Sequence, residues 1–160
     1  MNQLLIEKAT IYDAATILEF IKKLADYENL SHEVIATEED IKTSMFSEDG
    51  NVEAIIGYLN FVPIAFAIFH HNYSTFLGKK GLYLEDLFVL PDYRNDGVGK
   101  KMLAHLAKIA VDRDCGRFEW SVLDWNEPAI KFYENLGAEL KKEWITTRLS
   151  GDALIKLAKT

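Results

Sequence analysis

The sequence is poor in cysteine and proline, and both shortages limit the kind of protein it encodes. Its one cysteine, Cys115, cannot form an intramolecular disulfide, which is typical of a protein in a reducing, cytoplasmic compartment. Only three of the 160 residues are proline, and the sequence contains neither a low-complexity linker nor an internal repeat. We therefore expect a single domain that spans residues 1–160.

Basic residues are outnumbered, and no apolar run is long. The 18 lysines and arginines are set against 25 aspartates and glutamates, so the formal net charge is -7. A general nucleic-acid binder needs a basic face to displace counterions from phosphates, so we expect no nucleic-acid partner. The most apolar stretch, residues 54–69, is interrupted by Gly57, Asn60 and Pro63 and is too short for a membrane-spanning helix. We expect buried strands there and no membrane partner.

The four histidines lack a spacing that is typical of metal sites. His70 and His71 are adjacent at the end of an apolar segment, whereas His32 and His105 stand alone. We therefore expect a structural or surface role for each histidine and no bound metal.

The sequence does contain enough apolar residues for one packed core. Hydrophobic residues make up 49% of the chain and aromatic residues 12%. Two capping boxes, at residues 10–13 and 37–40, precede amphipathic segments and predict the first two helices. Further helices are predicted over residues 98–113 and from Asn126 onward, the latter ending at Gly137 as a left-handed stop.

Strands are predicted where short apolar segments are bounded by glycine or proline. They are expected at residues 4–9, 52–59, 64–70, 82–90 and 118–123, with a final strand or pair of strands at 140–149. The second and third should form a hairpin through residues 60–63. This order of elements predicts an α/β fold, with a mixed sheet and helices on both of its faces.

Two adjacent carboxylates, Glu85 and Asp86, interrupt one of the apolar strands. Because side chains alternate along a strand, we expect the two to point to opposite faces. A carboxylate in an apolar site without a counterion has a raised pKa and can act as a base. The alternative is that both lie near a strand end, where they reach solvent or pair with a lysine.

The loop at residues 91–100 leads from this strand into a predicted helix. Gly97 and Gly99 would let an anion approach the backbone amides at the start of that helix. Three basic residues add positive charge at the same end: Arg94, Lys100 and Lys101. The alternative is an ordinary tight turn, and Asp96 is an unfavourable neighbour for an anion.

The segment at residues 123–137 contains a polar pair, Asn126 and Tyr133. A phenol, whose ordinary pKa is about 10, can deliver a proton at the edge of a buried site. The alternatives are that Asn126 only caps the helix and that Tyr133 only fills the core.

Both of these segments resemble signatures of the GCN5-related N-acetyltransferases (GNATs). Residues 94–99 resemble the Q/R-x-x-G-x-G/A loop of that superfamily, and residues 126–137 resemble its N-x-x-A-x-x-F/L-Y-x-x-x-G-F segment. Four shorter segments are similar to the diamine and thialysine acetyltransferase branch: residues 24–28, 83–86, 92–94 and 123–126. The resemblance covers nearly the whole chain and implies the GNAT fold, with a mixed, mostly antiparallel central sheet and helices on both faces.

The resemblance also implies acetyl-CoA as co-substrate and assigns roles to individual residues. Tyr133 would be the general acid that protonates the departing thiolate, and Glu85 would be the general base, acting through water. Cofactor contacts are implied for Leu87, Phe88, Val89, Arg94, Asn95, Asp96, Gly97, Val98, Gly99, Lys100, Asn126 and Tyr133. Contacts with the amine are implied for Tyr27, Glu28, Phe76, Glu85 and Asp86.

The activity implied is acetyl transfer to the primary amine of a small cationic metabolite, by direct attack in a ternary complex. In the polyamine-specific members that the chain resembles, an acidic residue and a tryptophan stand at the positions of Ser74 and Phe76. This difference favours a thialysine-like amino acid over a diamine or polyamine. Asn95 and Asp96 also depart from the usual glycine-rich loop. A homodimer is implied as well. Two other functions stay open: a protein or peptide amine acetyltransferase, and a non-catalytic module that binds acetyl-CoA.

Overall fold

A five-stranded sheet forms the centre of the first of two units into which the chain divides, residues 1–121 and 122–160. The computed structural model describes residues 3–160. Strands follow one another in chain order across the sheet: β1 (Leu5–Lys8), β2 (Val52–Leu59), β3 (Val62–Ser74), β4 (Lys79–Val89) and β5 (Phe118–Trp120). The first four pair antiparallel and β5 joins β4 in parallel, so the predicted mixed, mostly antiparallel sheet is confirmed.

Three α-helices lie among the described residues of the first unit: α1 (Ala14–Tyr27), α2 (Glu38–Met45) and α3 (Val98–Asp112). Both predicted capping boxes form. The carboxylate of Asp13 accepts the Thr10 amide at 2.7 Å, and that of Asp40 accepts the Thr37 amide at 2.8 Å. These bonds satisfy backbone donors that a helix start leaves without an intrahelical partner, which is why the helices begin near these residues.

Helices cover both faces of the sheet, as predicted. On one face, α1 and α2 share a buried cluster with β2, β3 and β4, in which the Phe20 ring stacks on Phe66 at a centroid distance of 5.1 Å. On the other face, α3 lies close to β2. A methyl group added at Gly57 would come within 3.1 Å of the Met102 sulfur, so this glycine permits the close approach of helix and strand.

The two hairpins differ in how well their limits were predicted. The β2–β3 turn is at the predicted place, and Asn60 and Phe61 there both have positive φ, 51° and 65°. Such a pair is typical of the tight turn whose twist matches antiparallel strands. In the second hairpin, β3 runs on to Ser74 and β4 starts at Lys79, well outside the predicted bounds. Backbone pairing continues through polar residues there, where apolar patterning no longer marks the strand.

A bulge interrupts β4 at Glu85. Ile68 of β3 pairs with Asp86, whereas the next residue, Phe69, pairs with Leu84, so Glu85 has no partner in β3. One extra residue in a strand changes which face the following side chains occupy. The alternation of β4 before the bulge is therefore out of step with the alternation after it.

The bulge makes the expectation that Glu85 and Asp86 point to opposite faces wrong. Asp86 is paired with Ile68 and so shares its face of the sheet. His70, two residues beyond Ile68, lies on that same face, and its Nε2 is 3.2 Å from Glu85 Oε2. Both carboxylates are thus on the face that carries α1 and α2.

The second unit contains two helices, α4 (Glu127–Asn135) and α5 (Gly151–Ala158). The predicted stop at Gly137 is confirmed, since this residue has a φ of 90°. The amide of Ala138 donates to the Tyr133 carbonyl at 3.1 Å, and the Gly137 amide donates to the Glu134 carbonyl at 2.9 Å. These two bonds form a Schellman motif, which satisfies carbonyls at the end of α4.

The prediction of a final strand or pair of strands at residues 140–149 is wrong. Residues 140–149 contain neither strand nor helix, and α5 follows them. Residues 144–147 are rich in β-forming side chains, but a strand needs a neighbouring strand to satisfy its backbone. Among residues 3–160, none pairs with this segment. β5 ends at Trp120, whereas the sequence predicted that it continues to Leu123; its pairing with β4 stops at Leu84, the residue before the bulge.

Candidate active site

Three carboxylates from α1 and β4 lie close enough to interact in the first unit. Glu28 follows directly after the last residue of α1, Glu85 occupies the bulge, and Asp86 is the next residue of β4. Burial, with a further contribution from the charges of Glu85 and Glu28, raises the pKa of Asp86 to about 6. Burial also raises the pKa of Glu28. We call these three residues the carboxylate cluster.

The electrostatics of the carboxylate cluster favour a positive ligand. Three causes shift the pKa of Asp86, namely burial and the charges of Glu85 and Glu28, and all three raise it. Glu28 also lies at the C-terminal end of α1, where the helix dipole disfavours a carboxylate. A bound ammonium group would offset these unfavourable interactions, because its positive charge favours the ionised carboxylates.

Arg94 connects the end of α1 with the end of β4. Its guanidinium carbon is 4.8 Å from the centre of the Tyr27 ring and 5.0 Å from that of Phe88. Its Nε donates a hydrogen bond of 2.9 Å to the Val89 carbonyl. The cation–π contacts and this bond place the Arg94 side chain against the sheet, next to a Tyr27 that stays 41% exposed. Arg94 therefore orders the start of the loop, besides contributing charge to it.

The loop before α3 leaves backbone amides open to a ligand. Asn95 and Gly97 have positive φ, 68° and 77°, and Gly97, the residue before α3, has no side chain with which to cap the helix. A methyl group at Gly97 would meet nothing within 4 Å, and one at Gly99 would meet only a Val89 methyl group, at 3.9 Å. Asp96 and Lys100 are exposed, whereas Val98 is buried. The residues present thus fit an anionic group held by main-chain donors.

The end of β4 has an open backbone edge beside this loop. β5 pairs with β4 only from Leu82 to Leu84. Beyond that point, within the described part of the chain, no strand lies along the β5 side of Leu87, Phe88 and Val89. An open strand edge can pair with the amide groups of an extended ligand.

Phe76, which the sequence assigned to the amine site, is not near the carboxylate cluster within this chain. It lies in the turn between β3 and β4 and is 98% exposed. From Lys79, β4 runs six residues to Glu85, which is about 20 Å at the usual rise of a strand. Ser74 is buried beside that turn, and its hydroxyl oxygen accepts the Leu77 amide at 3.3 Å.

Asn126 and Tyr133 belong to the second unit. Asn126 stands immediately before α4, but its side chain makes no capping bond to the helix. Its carbonyl accepts the Ile130 amide at 3.0 Å. Tyr133 lies on α4, is partly buried, and has its ring 5.5 Å from that of Phe132. The prediction that Asn126 precedes the helix is confirmed, and the cap itself is made by backbone groups.

His70 is the neighbour of the carboxylate cluster that sequence reasoning missed. Its Nε2 is 3.2 Å from Glu85 Oε2, and its ring is 5.3 Å from that of Tyr83. Finding it from the sequence would have required the register of β3 against β4, which places His70 opposite Tyr83. A bulge cannot be located from composition, so this register was not predictable.

Two kinds of feature are absent from residues 3–160. No group of three or more histidine, cysteine, aspartate or glutamate side chains there is arranged to hold a metal ion. No helix in the same range has both the length and the apolar character needed to cross a membrane.

Comparisons with known proteins extend over nearly the whole chain. Residues 15–138 match the family described as Acetyltransferase (GNAT) family. Thialysine N-epsilon-acetyltransferase of Sus scrofa is 34% identical, with 99% of each chain covered. L-ornithine N5-acetyltransferase NATA1 of Arabidopsis thaliana is also 34% identical, with 93% of this chain and 85% of that protein covered. Among solved structures, the V. cholerae integron cassette protein VCH_CASS6 superposes with a TM-score of 0.83, at 28% identity and 98% coverage of both chains.

Proposed function

Because the chain belongs to the GNAT acetyltransferase family, we propose that it transfers the acetyl group of acetyl-CoA to the primary amine of a small cationic metabolite. It is an N-acetyltransferase, as the relatives that match its full length are. The observation that carries the choice of substrate is the carboxylate cluster, in which Asp86 has its pKa raised to about 6 by burial and by Glu85 and Glu28. A small ammonium ion is the ligand that such a cluster stabilises.

We favour an amino acid with a side-chain amine as the substrate. Two relatives are named for acetylation at such a nitrogen, the N-epsilon position of thialysine and the N5 position of L-ornithine. The exposed ring of Tyr27, next to Glu28, offers an aromatic face to a cation or to its alkyl chain. Ser74 has no carboxylate, and its hydroxyl is buried in its own turn, so this position offers no acidic contact to a longer polyamine.

Acetyl-CoA would be held by the loop before α3 and by the end of β4. The amides near Gly97 and Gly99, at a helix start whose N-cap residue is a glycine, suit the pyrophosphate, and Lys100 adds positive charge there. The open edge of β4 from Leu87 to Val89 suits the amide groups of the pantetheine arm. Asn126 and Tyr133 are proposed as further contacts, on the family resemblance of their segment. When bound, acetyl-CoA supplies a thioester whose carbonyl carbon the amine attacks.

In the proposed mechanism, Glu85 removes a proton and Tyr133 returns one. An alkylammonium has a pKa of about 10.4, so near neutral pH it must lose a proton before its nitrogen can attack. Glu85 accepts that proton through water. As the carbon–sulfur bond breaks, the Tyr133 hydroxyl protonates the departing thiolate. The carboxylate cluster also concentrates and orients the amine, which supplies proximity in a ternary complex.

An assay of CoA thiol release with a panel of amines tests the proposed function. The panel contains thialysine, lysine, ornithine, putrescine, spermidine and a lysine-containing peptide. We expect turnover with the free amines, fastest with an amino acid that carries a side-chain amine. Measurable acetyl-CoA binding without thiol release from any amine would indicate a non-catalytic module. Faster acetylation of the peptide than of every free amine would indicate a protein acetyltransferase.

Replacing Tyr133 by phenylalanine tests the general acid. Because this change removes only the hydroxyl, we expect kcat to fall about 100-fold while the Kd for acetyl-CoA changes less than about threefold. Steady-state kinetics and calorimetric titration measure the two quantities. Tyr12→Phe, at a side chain that is 93% exposed in the first unit, is the matched control and should be neutral. Unchanged turnover in Tyr133→Phe would remove this residue from the acid role.

We further propose that the enzyme is a cytoplasmic homodimer. The resemblance to the thialysine and diamine branch supports the dimer, and the single cysteine supports a reducing compartment. Sedimentation at assay concentration tests the first proposal, and a monomer there would overturn it.

A further inference from the structure

We propose that His70 is a positioning residue for Glu85, which fixes one oxygen of the carboxylate and makes its strength as a base depend on the charge of the imidazole. This inference rests on the proposed function, because it takes Glu85 as the general base. It concerns a residue for which the sequence indicated only a structural or surface role.

The geometry gives His70 a fixed ring and Glu85 one defined partner. The His70 ring lies 5.3 Å from Tyr83, and the Tyr83 hydroxyl is 2.8 Å from the Ser121 hydroxyl. Glu85 is unpaired in the bulge, with a side chain 57% exposed, so its carboxylate would otherwise sample several rotamers. The contact of 3.2 Å between His70 Nε2 and Glu85 Oε2 selects one of them. It leaves Oε1 for the water that receives the substrate proton.

The proton in this contact belongs to the histidine whenever Glu85 is ionised. A carboxylate oxygen can only accept a hydrogen bond, so Nε2–H must donate. With a neutral imidazole, Glu85 keeps its full charge, attracts the ammonium and accepts its proton. When the imidazole gains a second proton, it cancels part of that charge, weakens Glu85 as a base and repels the ammonium. Histidine side chains change charge within about pH 5 to 8, so this effect acts in the working range.

The groups around His70 define which charges take part. On β3 its neighbour is His71, whose pKa is lowered mainly by burial and then by Lys80 and Arg113. On β4 it faces Tyr83 and Glu85, and Asp86 follows as the next residue. From α1, Glu28 acts on Asp86. The His70 imidazole has two hydrogen-bond contacts among these neighbours, Nε2 with Glu85 Oε2 at 3.2 Å and Nδ1 with the His71 carbonyl at 3.4 Å.

Two substitutions separate the hydrogen bond from the charge. His70→Gln keeps a donor near the position of Nε2 and cannot become charged, whereas His70→Phe keeps a ring and loses the donor. We expect the glutamine variant to retain kcat within about threefold of wild type at pH 8.5 and to lose less activity at pH 6 than wild type does. The phenylalanine variant should lose about tenfold in kcat at pH 8.5, as loss of a charge-assisted hydrogen bond implies, and less at pH 6, where wild type is itself weakened by the charged imidazole. His105→Gln, on α3, is the matched control and should retain the wild-type pH profile.

A measurement without turnover tests the contact itself. In NMR spectra of the histidine rings, Glu85→Gln should change the chemical shifts of the His70 ring and leave those of His105 in place, because the charged partner of Nε2 is lost. If wild-type protein acetylates no amine, the proposed function fails, and these spectra still decide the contact. If wild type turns over but both His70 variants keep its pH profile, or the His70 ring resonances do not change, the inference fails and the proposed function stands.

Discussion

Asp86 is the residue at which folding and ligand binding oppose each other. Burial is the main cause that raises its pKa to about 6, and Glu85 and Glu28 add to the effect. Because the folded-state pKa lies above that of an unfolded aspartate, Asp86 favours folding below about pH 4, and this contribution is lost as the pH rises through about 6. At neutral pH the charged carboxyl therefore destabilises the empty protein, and a cationic substrate would relieve that destabilisation.

Replacing Asp86 by asparagine should stabilise the empty protein at pH 7.5 by at most about 3 kcal/mol, because the isosteric amide carries no charge to bury. At pH 4 the substitution should have little effect, since the aspartate is then largely protonated in the folded state. Urea denaturation at the two pH values measures the difference. Asp49→Asn, at an exposed aspartate, is the control and should change stability at neither pH. Equal effects at both pH values would contradict the assignment of Asp86 as a buried, charged group.

Individual residues of the candidate site were predictable only as far as their chemistry shows in the sequence. Glu85 and Asp86 stood out because carboxylates are rare within apolar strands, and Tyr27 and Glu28 came from the family resemblance. The structure brings Glu28 into electrostatic reach of Asp86 and places Arg94 on Tyr27. The ring contacts of Arg94 and the partner of Glu85 depend on strand register and loop path, which are three-dimensional properties. Phe76, placed in the amine site from resemblance, lies at the far end of β4 within one chain.

Elements with their own local signals were predicted best. α1 and α2 begin where capping boxes lie, and α4 ends where Gly137 adopts positive φ. Elements that depend on a distant partner were predicted worst. The extensions of β3 and β4 exist because the strands pair with each other, and the expected strand at residues 140–149 is missing because, in the part of the chain that the structure describes, it has no partner.

An ion-pair network links three elements of the first unit. The carboxylate of Glu53 in β2 accepts two hydrogen bonds from Arg113, the residue that follows α3. They measure 2.5 Å from Nη1 and 3.0 Å from Nη2. Lys8 of β1 lies 3.1 Å from the same carboxylate. The hydrogen bonds from Arg113, assisted by Lys8, lower the pKa of Glu53 to about 2 against its partial burial. A depressed pKa contributes stability above about pH 4.5, and this contribution is lost as the pH falls toward 2.

Arg113→Met should lower the free energy of unfolding by about 2 kcal/mol at pH 7, because it leaves the partly buried Glu53 with only Lys8 as a partner. Lys108→Met is the matched control on the same helix, because its ion pair with Asp112 is exposed, and its cost should stay under about 0.5 kcal/mol. Chemical denaturation at pH 7 and at pH 3 gives both values. The cost of Arg113→Met should shrink at the lower pH, and a pH-independent cost would contradict the role of Glu53.

The whole molecule is acidic, with a formal net charge of -7, yet its charges are not evenly spread. Negative charge is concentrated at the carboxylate cluster, while Lys100 and Lys101 lie at the start of α3. Net charge alone argued only against a nucleic-acid partner. On the proposed function, this distribution would attract the cationic substrate and the anionic co-substrate to different places on the surface.

Salt should therefore weaken the capture of the amine. We expect kcat/KM for a doubly charged amine to fall about fivefold or more between about 20 and about 500 mM NaCl, because ions screen the carboxylate cluster. An amine of single positive charge should show a smaller fall under the same conditions. Steady-state kinetics at saturating acetyl-CoA measure both. Equal salt dependence for the two amines would show that the cluster does not select by charge.

The bulge at Glu85 makes the site depend on residue count as well as on residue identity. Substituting Glu85 would remove one carboxylate and leave the strand as it is. Deleting it would join Leu84 directly to Asp86, and each would keep its present partner in β3, Phe69 for Leu84 and Ile68 for Asp86. Leu82, Tyr83 and Leu84 would therefore keep their faces of the sheet, and the Glu85 carboxylate beside His70 would be lost together with the bulge. Deleting the paired neighbour Leu84 would instead bring Glu85 opposite Phe69, toward the core, so the fold should tolerate the first deletion far better than the second.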